Sequence, residues 1–434
     1  MSNDGPGRRA LSTGALARVE GEGAMRIEVR DGELTGIELN IYEPPRFFEG
    51  ILRGRGYAEP VDVTARICGI CPVAYQMSAC AALEDAIGIT VDGPLHELRR
   101  LLYCGEWIES HTLHIHLLHA PDFLGYDSAI DMASQHRRLV ERGLEIKKIG
   151  NEILETVGGR AIHPVNIKLG GFYRAPTRST LEPLRARLEQ GLALAIEVVG
   201  EVGAFDFPDQ ELPYELVALD AGDEYPMMGT RIVSSHGLDI DVASFAEVFE
   251  EVHVEHSTAL HGQRRGGGNY LVGPLARYSL HSAKLSPQAT AAATTAGLGP
   301  VCANPFTSIV VRAVEVVHAF EVALAIIDNY QQPDEASVRA DPRPGTGHGA
   351  TEAPRGLLYH RYTIDDDGLI TDAVIVPPTS QNQPAIEGDL RRFVEQHLHL
   401  DDDDLRRQAE VTIRNHDPCI SCATHFLDLT VDRS

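Results

Sequence analysis

Two Cys-x-x-Cys pairs stand near opposite ends of the chain. Cys68 and Cys71 lie in Arg66-Ile67-Cys68-Gly69-Ile70-Cys71-Pro72, and Cys419 and Cys422 in Asp417-Pro418-Cys419-Ile420-Ser421-Cys422-Ala423-Thr424-His425. Cysteine is scarce here, seven in 434 residues, so two identical spacings built from four of them point to one shared site. Thiolates favour soft or borderline metals such as Zn, Fe, Ni and Cu. A fold that serves both pairs with one metal must bring the beginning and the end of the chain together.

A chain of this length with 43% hydrophobic residues can bury a large core, and no linker composition divides it. The net charge of −25 argues against a nucleic-acid surface or an anionic membrane, whose phosphates carry the same sign, and leaves protein as the expected partner surface. Residues 1–13 are polar, contain glycine and lack the apolar stretch of a secretory signal, which predicts a flexible N-terminal arm. No window approaches the ~18 uninterrupted apolar residues of a membrane span. The unpaired Cys80, Cys104 and Cys302 suit a reducing compartment, so the expectation is a soluble cytoplasmic protein.

Alternation from Ala24 to Tyr42 around Asp31-Gly32 predicts a hairpin, and a second is signalled from Tyr359 to Val376 around Asp365-Asp366-Asp367-Gly368. Apolar residues at helical spacing predict long helices over Leu95–His119, Leu139–Val157, Leu181–Val202 and Ala313–Tyr330, and a further helix over Ile386–His397. Pro72 suits the first turn of a helix through Ile87, which puts the first cysteine pair at a helix N-terminus, where free amides and the dipole favour thiolate. The acidic run Asp401–Asp404 reads as a helix cap in solvent. The expected architecture is α+β and mainly α: a central bundle of long helices holding the metal, with small peripheral antiparallel hairpins.

Three readings of the cysteines compete. Structural zinc sites usually draw their pairs from within a few tens of residues, because small domains use the metal in place of a core. A four-thiolate iron–sulfur cluster often takes its ligands from one loop. A catalytic metal held between sequence-distant elements explains the separation best.

The segments Arg18-Val19-Glu20-Gly21, Arg66-Ile67-Cys68-Gly69-Ile70-Cys71, Glu352-Ala353-Pro354-Arg355-Gly356, Pro378-Thr379-Ser380-Gln381-Asn382 and the terminal cysteine motif occur in an order that closely resembles the large, catalytic subunit of nickel–iron hydrogenases. The resemblance spans residues 18–425. It is greatest to the soluble NAD(P)-linked type, also called sulfhydrogenase, judging by Arg66 to Gln76 and Gly159 to Pro176.

The resemblance implies Ni bound by Cys68, Cys71, Cys419 and Cys422, with Cys71 and Cys422 bridging to an Fe that carries cyanide and carbon monoxide. It implies heterolytic cleavage of H2, with Glu20 accepting a proton from Cys419. Arg355 is expected over the open face of the metals, with Asp122 and Asp417 orienting it; Asp417 reads alternatively as a helix cap. Thr379 and Ser380 would bond cyanide through hydroxyl or amide groups, and Pro354 would line the carbon monoxide pocket. Glu49 and His425 match ligands of a separate Mg²⁺ or Fe²⁺ site. His111, His114, His116 and His119 look like a metal box, yet on one helix they are expected to point around several faces.

Two positions depart from the family pattern: Tyr75, where a histidine is common, and the tail 426–434, which family precursors lose to a maturation endopeptidase. The expected organisation is therefore an arm (1–13), one large-subunit domain (14–425) and a removable tail (426–434). The remaining three cysteines are too few for a cluster relay, and no Gly-x-Gly-x-x-Gly opens a βαβ unit. Iron–sulfur clusters, flavin (FAD) and NAD(P) are thus expected in partners: an iron–sulfur small subunit and a pair of reductase subunits. The alternatives are a non-catalytic scaffold like the quinone-site subunit of respiratory NADH dehydrogenase, which lacks the metal cysteines, or a structural four-cysteine zinc protein.

Overall fold

Apolar stripes at 3.6-residue spacing become long helices that wrap one another, because each has a wide face to bury. The computed structural model describes residues 8–424. In chain order the helices that position the site are α1 (Pro72–Ile87), α2 (Gly93–Leu113), α3 (Arg137–Gly158), α4 (Arg178–Val202), the shorter α5 (Pro274–His281), α6 (Ser308–Asn329), α7 (Pro378–His397) and α8 (Asp402–Arg414). In the central bundle α2 and α4 each pack on α3 and α6. From Ser308 to Phe320 every residue of α6 is buried, which makes it the innermost helix. Its charged Arg312 and Glu315 therefore need partners inside the protein.

Strands β1 (Arg8–Ser12), β2 (Gly23–Arg30) and β3 (Glu33–Ile41) form an antiparallel sheet, with the β2–β3 turn at Asp31 and Gly32, both at positive φ (51° and 84°) as a two-residue hairpin requires. The arm expected over 1–13 is thus a strand from Arg8 onward. The reason is tertiary: Leu11 is buried, and Arg9 donates to the carbonyls of Leu398 and Leu400 and pairs with Asp402. Residues 1–7 lie outside the described residues. This sheet packs on α7 and α8 through a second core that includes Ile27, Leu39, Ile386, Leu390, Leu405 and Ile413. The first and last elements of the chain are therefore neighbours.

Strands β4 (Phe249–Val254) and β5 (Ser257–Arg264) pair as a hairpin, while β6 (Gly345–Ala353), β7 (Gly356–Ile364) and β8 (Ile370–Val376) form a meander that a short strand at Met228–Gly229 extends. The sequence points to β7 and β8 but conceals β6, whose Gly-rich composition has little intrinsic strand preference. The glycines serve α1, which lies directly across β6. A Cβ at Gly347 would sit 2.1 Å from the Ala82 carbonyl oxygen and 2.2 Å from the Ala86 nitrogen. Because the obstacle is backbone, Gly347→Ala is expected to destabilise the chain by at least about 2 kcal/mol. The check is a denaturant titration, in which an unchanged midpoint would refute the close packing of α1 on β6.

Helix α7 begins at Pro378, eight residues before the expected start, because Pro384 within it conceals the periodicity. Helix α2 continues beyond Leu113 as a wider π-helical turn, His114–His119. Asp401 caps α8 by accepting from the Asp404 amide (2.9 Å), as the acidic run suggests. Among the described residues no helix is long and apolar enough to cross a membrane. The fold is α+β, with a helical centre and small antiparallel sheets around it.

Candidate metal centre

The first cysteine motif closes a short helical turn at Ala65–Ile67 and opens α1, with Cys71 at the N-cap position. The amides of Val73 and Ala74, left without intrahelical acceptors, donate to the buried Glu106 carboxylate of α2 (2.6 and 3.0 Å). The second motif follows α8 and enters the short helix Ile420–Ala423. Arg46 ties the two together: its guanidinium donates to the carbonyl of Ile67 (2.7 Å), next to Cys68, and to that of Ser421, next to Cys422.

The result is one buried cluster of four thiols whose sulfur atoms all lie within 4.8 Å of one another. Across the motifs, Cys68 meets Cys419 (3.4 Å) and Cys71 meets Cys422 (3.7 Å), while Cys419 and Cys422 are 2.7 Å apart. Hydrogen bonds from Cys419, Cys422 and Cys71 push the Cys68 thiol well down, whereas burial pushes that of Cys419 well up. Four negative sulfurs cannot share so small a dry space unaided, and a soft divalent metal supplies the compensating charge. The donor set thus fits nickel or another soft divalent ion, and suits Mg²⁺ or Ca²⁺ poorly.

Glu20 follows β1 in a loop that runs parallel to the second motif, bridging at Cys419, where the Glu20 carbonyl accepts from the Ile420 amide (3.0 Å). Its carboxylate oxygen Oε2 lies 3.1 Å from Cys419 Sγ and 3.1 Å from the Ser421 amide. Arg355 and the buried Pro354 form the two-residue turn between β6 and β7, whose register closes at Ala353 and Gly356. From there the Arg355 guanidinium donates to the Asp417 carboxylate (3.0 Å) and carbonyl (2.8 Å) and to Ser110 Oγ (3.4 Å). Asp417 therefore holds Arg355, and no cap is seen from its side chain. Arg18 and Asp417, beside Glu20 and Cys419, adopt positive φ (59° and 49°), a strained backbone of the kind that collects at functional sites.

Asp122 stands elsewhere than expected. It pairs with Arg414 (2.8 and 2.9 Å) and with Arg18 (2.5 Å), because it opens the short helix after the π-turn and faces the end of α8. The hydroxyl that reaches Arg355 from this region is that of Ser110, which carries no charge to reveal it in the sequence. Thr379 Oγ1 accepts from the Cys419 amide (3.0 Å). The Ser380 hydroxyl is committed to Glu251 (2.7 Å) and the Pro377 carbonyl (3.0 Å), so Ser380 keeps its first-turn amide for a ligand, whereas Thr379 keeps both its amide and its hydroxyl proton. Glu49 accepts from the Ile375 amide (2.7 Å), and burial pushes its carboxyl up to about 7; the nearby Glu251 is pushed up to about 8 by the same cause. His425 and the tail 426–434 lie outside the described residues.

The four histidines around the π-turn do not form a metal box among the described residues and point to several faces, as expected. All are buried: His111 faces Glu315 (2.9 Å), His114 bonds the Arg414 carbonyl (2.8 Å), His116 the Thr112 carbonyl (3.0 Å), and His119 stacks edgewise on Phe123. Tyr75 is buried against the thiols, with the His360 ring 5.8 Å away. An imidazole thus approaches this corner from β7. Sequence reasoning missed Arg46, Glu106, Ser110, Glu251 and Arg277. Arg277, on α5, donates to the carbonyls of Ala353 and Pro354 (both 2.9 Å) while pairing with Glu315 and Glu352. The one available signal was its company of charges at positions otherwise apolar.

Convergent thiols with a carboxylate and an arginine turned toward them define a catalytic metal centre, because a purely structural site is closed and needs no proton acceptor. Residues 46–174 and 264–425 match the family described as nickel-dependent hydrogenase. The chain is 33% identical over 419 residues to sulfhydrogenase 1 subunit alpha of Pyrococcus furiosus, covering 95% of this chain and 97% of the relative. It is 28% identical to the NAD-reducing hydrogenase HoxS subunit beta of Cupriavidus necator, covering 96% and 95%. A crystal structure of an NAD+-reducing NiFe-hydrogenase in the H2-reduced state matches with a TM-score of 0.87 at 27% identity, covering 96% of this chain and 99% of that one. The chain belongs to the nickel-dependent hydrogenase family. It is a large subunit of the nickel–iron type, an oxidoreductase acting on H2, similar to the sulfhydrogenase alpha subunits.

Proposed function

We propose that this chain is the subunit that cleaves H2 heterolytically, and that its electrons leave through an iron–sulfur small subunit toward flavin- and NAD(P)-binding reductase subunits. The observation that carries the reading is the 3.1 Å approach of the Glu20 carboxylate to Cys419 Sγ. When bound by the four cysteines, nickel and a cyanide- and carbon monoxide-bearing iron supply the Lewis-acid and redox chemistry.

The chain's own residues do the rest. Cys419 offers the sulfur that takes the proton, and Glu20 lies within reach to receive it. Arg355, buried and fixed by Asp417, holds a permanent positive charge over the cluster, where fixed donors act in a water-poor medium. Buried Pro354, the Thr379 hydroxyl and the α7 amides of Thr379 and Ser380 wall the pocket expected to seat the iron's diatomic ligands. Glu49, with Glu251 close by, supports a hard-cation site completed by His425: two carboxyls raised by burial are both relieved by a dication. The NAD-linked relatives support a nicotinamide acceptor, and a maturation endopeptidase acting after His425 is the expected processing partner. The reading extends the expected domain back from residue 14 to the strand at Arg8–Ser12 and keeps its end at 425 with a removable tail, in the cytoplasm.

The test is isotope exchange, which needs no electron acceptor. The nickel-loaded protein under D2 in ordinary water is expected to release HD as the first product. Absence of HD from protein with full nickel would overturn the reading.

A further inference from the structure

Away from the cysteines, His256, His261 and Glu387 bring three ligand atoms within 4.8 Å of one another. His256 sits in the turn between β4 and β5, His261 on β5, and Glu387 on α7. His256 Nε2 lies 2.7 Å from Glu387 Oε1, which also accepts from the Leu39 amide (2.9 Å), and Oε2 has no such tie among the described residues. The two imidazoles have their centroids 5.6 Å apart and meet edge to face. His261 is the telling member: it is 5% exposed, and its Nε2 is buried without a hydrogen-bond partner. A buried polar atom without a partner is costly, and His261 together with Glu387 lines a cleft of about 440 Å³.

The geometry points to a second transition-metal site, held by His256, His261 and Glu387 and selective for a borderline divalent ion, Zn²⁺ foremost. Two imidazoles and one carboxylate suit Zn²⁺, Co²⁺ or Ni²⁺, whereas Mg²⁺ and Ca²⁺ prefer an all-oxygen set. Ligand atoms sharing one such ion stand roughly 3 Å apart, so the 2.7 Å pair needs almost no movement and His261 a modest side-chain rotation. Three protein ligands leave a position open to water from the cleft. Arg391 lines the same cleft and opposes the ion's charge; it is half-turned toward Glu395 (4.0 Å), which moderates that opposition. The ion clamps the β4–β5 hairpin to α7, the helix whose first turn meets Cys419, and so braces the wall of the catalytic centre from behind.

The proposal is independent of the hydrogenase reading, since no cysteine takes part. The experiment is calorimetric titration of the nickel-loaded, chelator-washed protein with Zn²⁺ alone, alongside His261→Ala and the milder His256→Gln. Wild type is expected to take up one Zn²⁺ more than either variant, and to gain thermal stability from Zn²⁺ that His256→Gln does not gain. Co²⁺ in the same position is expected to give weak visible bands without thiolate charge transfer. Equal Zn²⁺ uptake by wild type and both variants, or a Co²⁺ spectrum carrying only thiolate bands, would overturn the site.

Discussion

Replacing Glu20 with glutamine is expected to leave nickel content and fold unchanged and to lower H2 oxidation by about 10²–10⁴-fold, the usual worth of a positioned proton acceptor. The amide keeps the shape of the carboxylate. Its oxygen still accepts from the Ser421 amide, which Glu20 Oε2 does at 3.1 Å, so the loop stays in place. What it cannot do is titrate. The measurement is H2 oxidation with nickel analysis on the same sample, and HD release under D2 is expected to fall in step. Near-normal turnover with full nickel would remove Glu20 from the proton path.

The largest effect on stability is expected from Arg277→Leu, a loss of about 3–5 kcal/mol, because it strands buried charge. Arg277 is wholly buried between Glu315 (2.8 Å) and Glu352 (3.0 Å), with its guanidinium 4.5 Å from the centre of the Trp107 ring. Burial alone raises both carboxyls. Even with Arg277 beside it Glu352 stands at about 7, whereas Arg277 and His111 hold Glu315 well below its ordinary range. Without Arg277, Glu352 rises further and takes a proton near neutral pH, but Glu315 keeps only two neutral partners, the Tyr225 hydroxyl (2.7 Å) and His111, itself pushed down to about 4 by burial. The turn that presents Arg355 also loses the two hydrogen bonds to Ala353 and Pro354. Denaturant unfolding measures the cost. Adding Glu315→Leu to the variant is expected to restore part of it, and a single-variant loss below about 1 kcal/mol would show that this cluster is not what anchors the turn.

Much of the helical frame could be read from periodicity, since α2, α3, α4 and α6 carry their apolar residues at the spacing their burial requires. Elements whose cause is tertiary stayed hidden. The β6 glycines make sense only with α1 lying across them, and the start of α7 is masked by Pro384. Strand β1 exists because the edge of β2 and the end of α7 receive it. In the site, residues within motifs came out where the motif put them. Arg355 meets Asp417, and Glu20 meets Cys419. Asp122 did not, because the π-turn after Leu113 shifts the face on which later residues emerge, and the contact to Arg355 falls to Ser110. Arg46 acts through backbone carbonyls, a role that leaves no pattern in a single sequence, and Arg277 left only the charges set among its apolar neighbours.

The central claim is that sulfurs from both ends of the chain share one nickel, with iron beside it. X-ray absorption at the nickel edge of the purified, active protein tests it most directly. The account predicts a nearest shell dominated by sulfur with an iron neighbour behind it, and loss of that signal in Cys419→Ser. A nickel shell of nitrogen and oxygen only, or zinc in place of nickel in a protein that still oxidises H2, would contradict it.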